Sequence, residues 1–204
     1  LSVKNPDSAR YQKERDNDPD YYKNNTQEKL NELNKLLTRL HGRQENEIPT
    51  EKGFCFPNGF ISGVSGVNDE MEDVRFSYRS KINPLLYIEF STDNYLHEET
   101  SMLERSSTIS SGLLNIQTTT LMKGRREINK LAAEEWLVVG NGEDSRSGHT
   151  FVLNVNEKIG SPQTPMFSIE LNHGPLPDET LSQDAVVTFW QKITETLRVR
   201  PGAI

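Results

Sequence analysis

Between residues 53 and 171 apolar and polar positions alternate with a period of two. Val74, Phe76 and Tyr78 alternate with polar residues in DVRFSYRS, and Leu86, Ile88 and Phe90 do so in PLLYIEFS. Phe151, Leu153 and Val155 repeat the pattern in HTFVLNV, as do Phe167, Ile169 and Leu171 in MFSIELN. Strict alternation puts every second side chain on one face, the mark of a half-buried strand in an antiparallel sheet. FCFPNGFI reads as strand, Pro-Asn-Gly turn, strand; Leu114 and Ile116 open a further segment running into TTTLM. EWLVVG follows after a charged stretch, and GNGEDSRSG and GSPQTP read as connecting loops.

At both ends the period changes to that of a helix. In TQEKLNELNKLLTRLHG, Leu30, Leu33, Leu36 or Leu37, and Leu40 gather on one face, with Thr26 as cap and Gly42 as stop. The stripe is expected to bury against its own domain. SQDAVVTFWQKITETLR sets Val186, Phe189, Trp190, Ile193 and Leu197 on one side, behind Ser182 as cap and before Pro201 as stop. The expected fold class is α+β: an antiparallel sheet packed by a C-terminal amphipathic helix, with an N-terminal helix. Residues 1–25 are polar and patternless, so the division expected is a leader plus helix over 1–44 and an α+β domain over 45–204.

Composition narrows the function. A chain of 204 residues is long enough for one sizeable core. Its net charge of -7 repels phosphate backbones and anionic lipid, which argues against nucleic acid and membrane surface as partners. No apolar run reaches the ~18 residues that span a bilayer. A single cysteine excludes an internal disulfide and a CxxC metal site.

Each candidate for chemistry has a plainer reading. Asp16, Asp18 and Asp20 have calcium-loop spacing, but Tyr21 stands where the turn needs glycine, so DNDPD reads as a solvated turn. His41, His97, His149 and His173 show no metal-ligand spacing. SGVSG lacks the second glycine of a nucleophile elbow, and GNGEDS has Ser145 where a dinucleotide fingerprint wants glycine. Cys55 sits in a strand between Phe54 and Phe56, away from any helix start that would activate a thiol, and reads as a packing residue. A cysteine hydrolase with His97 or His149 as base stays open as an alternative. No cofactor or metal is expected.

Charge is distributed unevenly. Residues 45–73 hold seven acids against one base, and NDEMED concentrates four of the acids between two expected strands. The plain reading is a solvated turn; the functional one is electrostatic steering toward a basic partner. KGRREIN is the opposite pole, whose plain reading is ion pairing with the acids of AAEEW.

The order IPTEKGFCFPNGFISG, LLYIEFSTDN, LERS, KGRREINKLAAEEWLVV, HTFVLNV, PQTPMFSIEL and WQKITETLRVRPGAI resembles the C-terminal domain of type VI secretion lipase immunity proteins. The likeness runs from about residue 45 to the end. Lys130 and Ala133 depart from it, since the family tends to glycine there. The resemblance implies a periplasmic, non-catalytic protein that binds a cognate phospholipase effector and inhibits it at its active-site entrance or lid. It also implies a signal sequence or lipid anchor removed ahead of Leu1. Partner contacts are then expected at Asp69, Glu70, Glu72, Asp73, Glu98 and Glu99. The alternative is a periplasmic or surface ligand-binding module without catalysis, with Trp136, Tyr87 and Tyr95 as a stacking platform.

Overall fold

The computed structural model describes residues 24–44, 46–63, 72–95, 97–112, 118–141, 147–177 and 181–199. The Asp16–Asp18–Asp20 turn, most of SGVSG, Asp69 and Glu70, Leu114 and Ile116, residues 142–145 of GNGEDS, and the closing RPGAI lie outside them. The chain forms two compact units that divide after residue 64.

The first unit contains helix α1 (Thr26–Arg39) and strands β1 (Leu40–Gly42), β2 (Gly53–Phe56) and β3 (Gly59–Ser62), in sheet order β1-β3-β2. Pro57 and Asn58 make the two-residue β2–β3 turn, with Asn58 in the left-handed region at φ 62°. At Gly59 a Cβ would stand 2.1 Å from the Phe56 ring, so the ring can fold over the turn only because position 59 has no side chain. Three expectations change here. The helix passes directly into β1 at Leu40, whose extended backbone (ψ 123°) takes it off the leucine face, so Gly42 ends a strand instead of a helix. Asn25 occupies the cap position, while Asn24 Oδ1 receives the Thr26 amide at 3.0 Å. The leucine stripe buries no residue: Leu33 and Leu36 are half-buried, and Leu30 and Leu37 are 48% and 53% exposed. The FCFPNGFI hairpin also pairs with β1 and does not join the large sheet. Residues on both sides of position 44 therefore share one small sheet.

Strands β4 (Asp73–Arg79), β5 (Leu86–Asp93), β6 (Thr118–Ile128), β7 (Leu131–Asn141), β8 (Ser147–Val155) and β9 (Met166–His173) form the second unit's antiparallel sheet, ordered β4-β5-β9-β8-β7-β6. One face is apolar. Leu137, Phe151, Leu171 and Ile88 are successive register partners across four strands, and Leu153, Ile169 and Phe90 form the next row. Phe76, Phe90 and Phe167 continue the layer as a stack with centroids 6.4 and 6.1 Å apart.

Helix α3 (Gln183–Thr194) covers this face, capped by Ser182 Oγ accepting from the Ala185 amide at 3.2 Å. Val186 and Trp190 are fully buried in the core, and Trp190 meets Phe151 edge-on at 5.8 Å. Burying two such side chains is worth roughly 1.5–3 kcal/mol each. The buried line is Val186–Trp190–Thr194, spaced by four. Phe189, expected on that face, stands about 100° away from Trp190 around the helix and is 42% exposed.

The charged stretch between TTTLM and EWLVVG is itself strand. β6 and β7, eleven residues each, form a hairpin whose turn, Asn129–Lys130, has both residues at positive φ (47° and 71°). β6 is an edge strand whose register shifts between Thr120 and Met122. Its charges face water or pair locally, so it shows no apolar alternation.

Candidate functional site

Consecutive glutamates on β7 point to opposite faces and do different work. Glu135 lies on the apolar face, 2% exposed, where it accepts the Trp190 indole N–H at 2.6 Å and pairs with Arg126 at 3.1 Å. Arg126 also donates to Thr194 on α3. Glu134 lies on the other face and receives the Ser101 hydroxyl (2.9 Å), the Leu103 amide (2.9 Å) and Arg125 Nε (3.0 Å). Burial alone would raise its pKa, but the Leu103 amide, the Ser101 hydroxyl and Arg125 outweigh it and hold the carboxyl below the usual range. The pairing expected between KGRREIN and AAEEW is thus present as Arg125–Glu134 and Arg126–Glu135.

Glu134 has a second anchor beside it. Glu157, 5% exposed, accepts the Met102 amide at 2.6 Å and pairs with Arg105. The Ser101 amide, donating to Glu104 at 3.0 Å, and then Lys158, paired with it at 3.0 Å, hold the Glu104 carboxyl low. LERS is therefore a docking segment: its charges and amides tie residues 101–105 and the start of helix α2 (Ser106–Gly112) over the second face of the sheet.

Between that segment and the sheet lies a cleft of about 940 Å³. Met102, Arg105 and Ile109 border one side, Trp136, Val138 and Val152 lie on the sheet, and Arg79, Leu85 and Pro175 close the far end. Trp136 is fixed there by its N–H to Thr120 Oγ1 at 3.0 Å and by Lys123 Nζ, 4.8 Å from its ring centre. Tyr87 borders the same cleft, with the Arg79 guanidinium 5.5 Å from its ring. The platform expected of Trp136, Tyr87 and Tyr95 is brought together in part: Tyr95 does not line the cleft and is exposed.

Of the acids expected to bind a partner, Asp69 and Glu70 lie outside the described residues, and Glu72, Asp73, Glu98 and Glu99 lie at one end of the large sheet. Glu72 is locked through its backbone to Asn94, giving its N–H to Asn94 Oδ1 at 2.8 Å and accepting the Asn94 amide at 3.1 Å. Asp73 pairs in register with Asp93, and its carboxylate lies 3.6 Å from Arg75. Glu98 and Glu99 are exposed, and the Glu98 amide donates to the Glu157 carbonyl at 2.7 Å, at the same end of the sheet as the Asp73–Asp93 pair.

Two further clusters concern Cys55 and the histidines. Cys55 pairs with Phe60 in β3, and Phe60 in turn pairs with His41 in β1. That imidazole is two strands from the thiol, about 10 Å, with a phenyl ring between them. His149 and His173 face each other across β8 and β9 with Nδ1 atoms 3.0 Å apart, both buried. Nothing in a separation of 24 residues announces that pair; only the strand register does. Glu134 and Glu157 as anchors were missed as well, although EE on a strand must send one carboxylate to each face.

No curated protein sequence matches the chain. Among solved structures it is similar to the apo immunity protein TplEi of the T6SS of Pseudomonas aeruginosa, with 28% identity, a TM-score of 0.71, and coverage of 88% of this chain and 60% of that one. It is also similar to TplEi complexed with an "L" peptide (26%, TM-score 0.65, 81% and 60% covered). A third similarity is to a chain of the Tle4–Tli4 complex (25%, TM-score 0.69, 88% and 61% covered). The chain thus spans about 60% of the length of these solved immunity proteins. Residues 47–202 match the family described as the Tle cognate immunity protein 4 C-terminal domain, a family of immunity proteins and not of enzymes, and the chain belongs to that family.

Proposed function

We propose that this protein is the immunity partner of a type VI-secreted phospholipase, which it binds and inhibits by obstructing the active-site entrance or holding the lid. The observation that carries this reading is the family match over residues 47–202, more than three quarters of the chain, supported by structural likeness to immunity proteins including a chain of a Tle4–Tli4 complex. The domain over 45–204 is the recognition unit in this reading. Its place of action is the periplasm, where such a lipase meets its phospholipid.

The surface assigned to the partner is the acidic one: Asp69, Glu70, Glu72, Asp73, Glu98 and Glu99. An acidic rim on a chain of net charge -7 steers association toward a basic cleft and sets the register of docking. The test is to assay the phospholipase encoded beside this protein while titrating in the chain. Stoichiometric loss of activity with a nanomolar dissociation constant supports the reading. A lipase that neither binds nor slows at micromolar chain overturns it.

A further inference from the structure

We propose that the cleft on the second face of the sheet binds a fatty acid, as a single alkyl chain ending in a carboxylate. The proposal is independent of the effector. Its volume, about 940 Å³, falls within the ~300–1,000 Å³ of small-molecule sites. Polarity across it is graded. Arg79, Tyr87, Asn172, Thr150 and Val138 are successive register partners on five adjacent strands, so one row of the sheet runs from a cation through three hydrogen-bonding side chains to an aliphatic one. In the neighbouring row Val152 and Trp136 extend the aliphatic end, roofed by Met102 and Ile109.

Charge points the same way. The chain contains 30 acids, yet among the described residues no carboxylate lines this cleft, while Arg79 and Arg105 do; Glu170, the register partner of Val152, stands beside the lining and accepts the Asn172 side-chain amide at 2.5 Å. Arg105 is committed to Glu157, which leaves Arg79 as the cation for the head group. An Arg fork suits a carboxylate. The apolar end suits an alkyl chain, because an anchored indole and the aliphatic Val138, Val152 and Ile109 offer it contact, with Asn154 as the polar side chain beside Met102. At the tail end of the row, Gly148 pairs with Gly140, which leaves the strands there without side chains.

The test is calorimetric titration of the folded chain with octanoate, decanoate and dodecanoate below their micelle concentrations, with decanol as uncharged control. Saturable one-to-one binding that tightens about fourfold per added methylene is expected. Arg79→Ala should weaken decanoate about tenfold and leave decanol unchanged, the effect of losing one charge-assisted contact. Val152→Trp should fill the aliphatic end and abolish binding, with its melting curve confirming the fold; if it does not fold, the chain-length series and Arg79→Ala decide. No saturable binding, affinity flat with chain length, or equal binding to decanoate and decanol overturns the proposal. So does a folded Val152→Trp variant that leaves dodecanoate binding intact. A native chain that ignores alkanoates, with Val152→Trp releasing the lipase, would make the cleft a protein-docking groove. Because the titration contains no lipase, its failure leaves the immunity reading standing.

Discussion

The indole N–H of Trp190 ends on Glu135 Oε1, 2.6 Å away, and the same oxygen lies 3.1 Å from Arg126. One buried carboxylate thereby joins the C-terminal helix, the edge strand β6 and its neighbour β7. Arg126 reaches back to Thr194, one turn after Trp190, so helix and sheet are tied at two successive turns. A second latch lies just beyond: Asn129 Nδ2, in the β6–β7 turn, donates to the carbonyls of Glu195 (3.0 Å) and Leu197 (2.8 Å). Orientation of the helix on the sheet is thus specified by polar contacts inside an apolar interface.

Glu135→Ala should therefore be among the costliest single changes in the domain. It leaves a largely buried guanidinium and an indole N–H without their acceptor, a situation worth about 3–5 kcal/mol. Glu135→Gln keeps an acceptor for the indole and loses only the charge, so a smaller loss is expected. Urea unfolding of the two variants measures the difference. Equal and small losses would mean that the pair contributes little to holding the helix.

Lys130 carries φ 71° in a turn whose other residue, Asn129, is also left-handed. That conformation costs an L side chain roughly 1–2 kcal/mol, which glycine avoids at some entropic cost of its own. Lys130→Gly creates an Asn-Gly turn of the kind two-residue hairpins prefer. A gain of about 0.5–1 kcal/mol is expected, read as a higher melting temperature. Lys130 is then a point of local strain in an ordinary two-residue turn. A lower melting temperature would contradict that.

Stability should also fall on the acid side of neutrality. Burial, reinforced by the neighbouring His173, depresses the pKa of His149 below its usual 6.5. Below that value the unfolded chain takes up a proton that the folded chain refuses, so stability is lost as pH falls through about 6.5, by at most ~1.4 kcal/mol per pH unit. Glu134, held low in the fold, adds a loss of the opposite origin at lower pH: its contribution is present above the ordinary carboxylate pKa and disappears as the native carboxyl protonates. Urea midpoints between pH 5.5 and 7.5 should slope for the wild type and flatten for His149→Gln. An unchanged slope would place the titration elsewhere.

Strands with one apolar face were legible in the sequence because alternation records burial directly: Phe151, Leu153 and Val155 are all interior, as their spacing requires. β6 was legible only in its first part, TTTLM, because the stretch that continues it satisfies Arg125 and Arg126 across the hairpin and has no need of an apolar face. The C-terminal helix was legible in position and cap, but a wide apolar stripe could not say that Val186, Trp190 and Thr194 face inward while Phe189 faces out. The β2–β3 hairpin was legible as a hairpin, whereas its choice of sheet depends on β1, a strand hidden at the end of a leucine helix. Cleft, histidine pair and glutamate anchors all join residues from different strands and loops, and periodicity within a segment has no bearing on such contacts.

The acidic end of the sheet makes a kinetic prediction. Asp73, Glu98 and Glu99 are exposed, so their charges can be reversed without removing a buried contact, whereas Glu72 is half-buried with its backbone bonded to Asn94. Together with Asp69 and Glu70, lysine substitutions at these positions turn an attractive rim into a repulsive one. Association with the lipase should slow by tenfold or more at low ionic strength, since steering raises on-rates by roughly 10–10³. At physiological salt the screening length is only about 8 Å, and the difference between variant and wild type should shrink accordingly. Dissociation should change less, because rim charges act mainly before contact. Stopped-flow association at two salt concentrations separates these terms. A salt-independent on-rate, identical for wild type and the reversed set, would remove this rim from the interface and leave recognition to apolar contacts elsewhere on the domain.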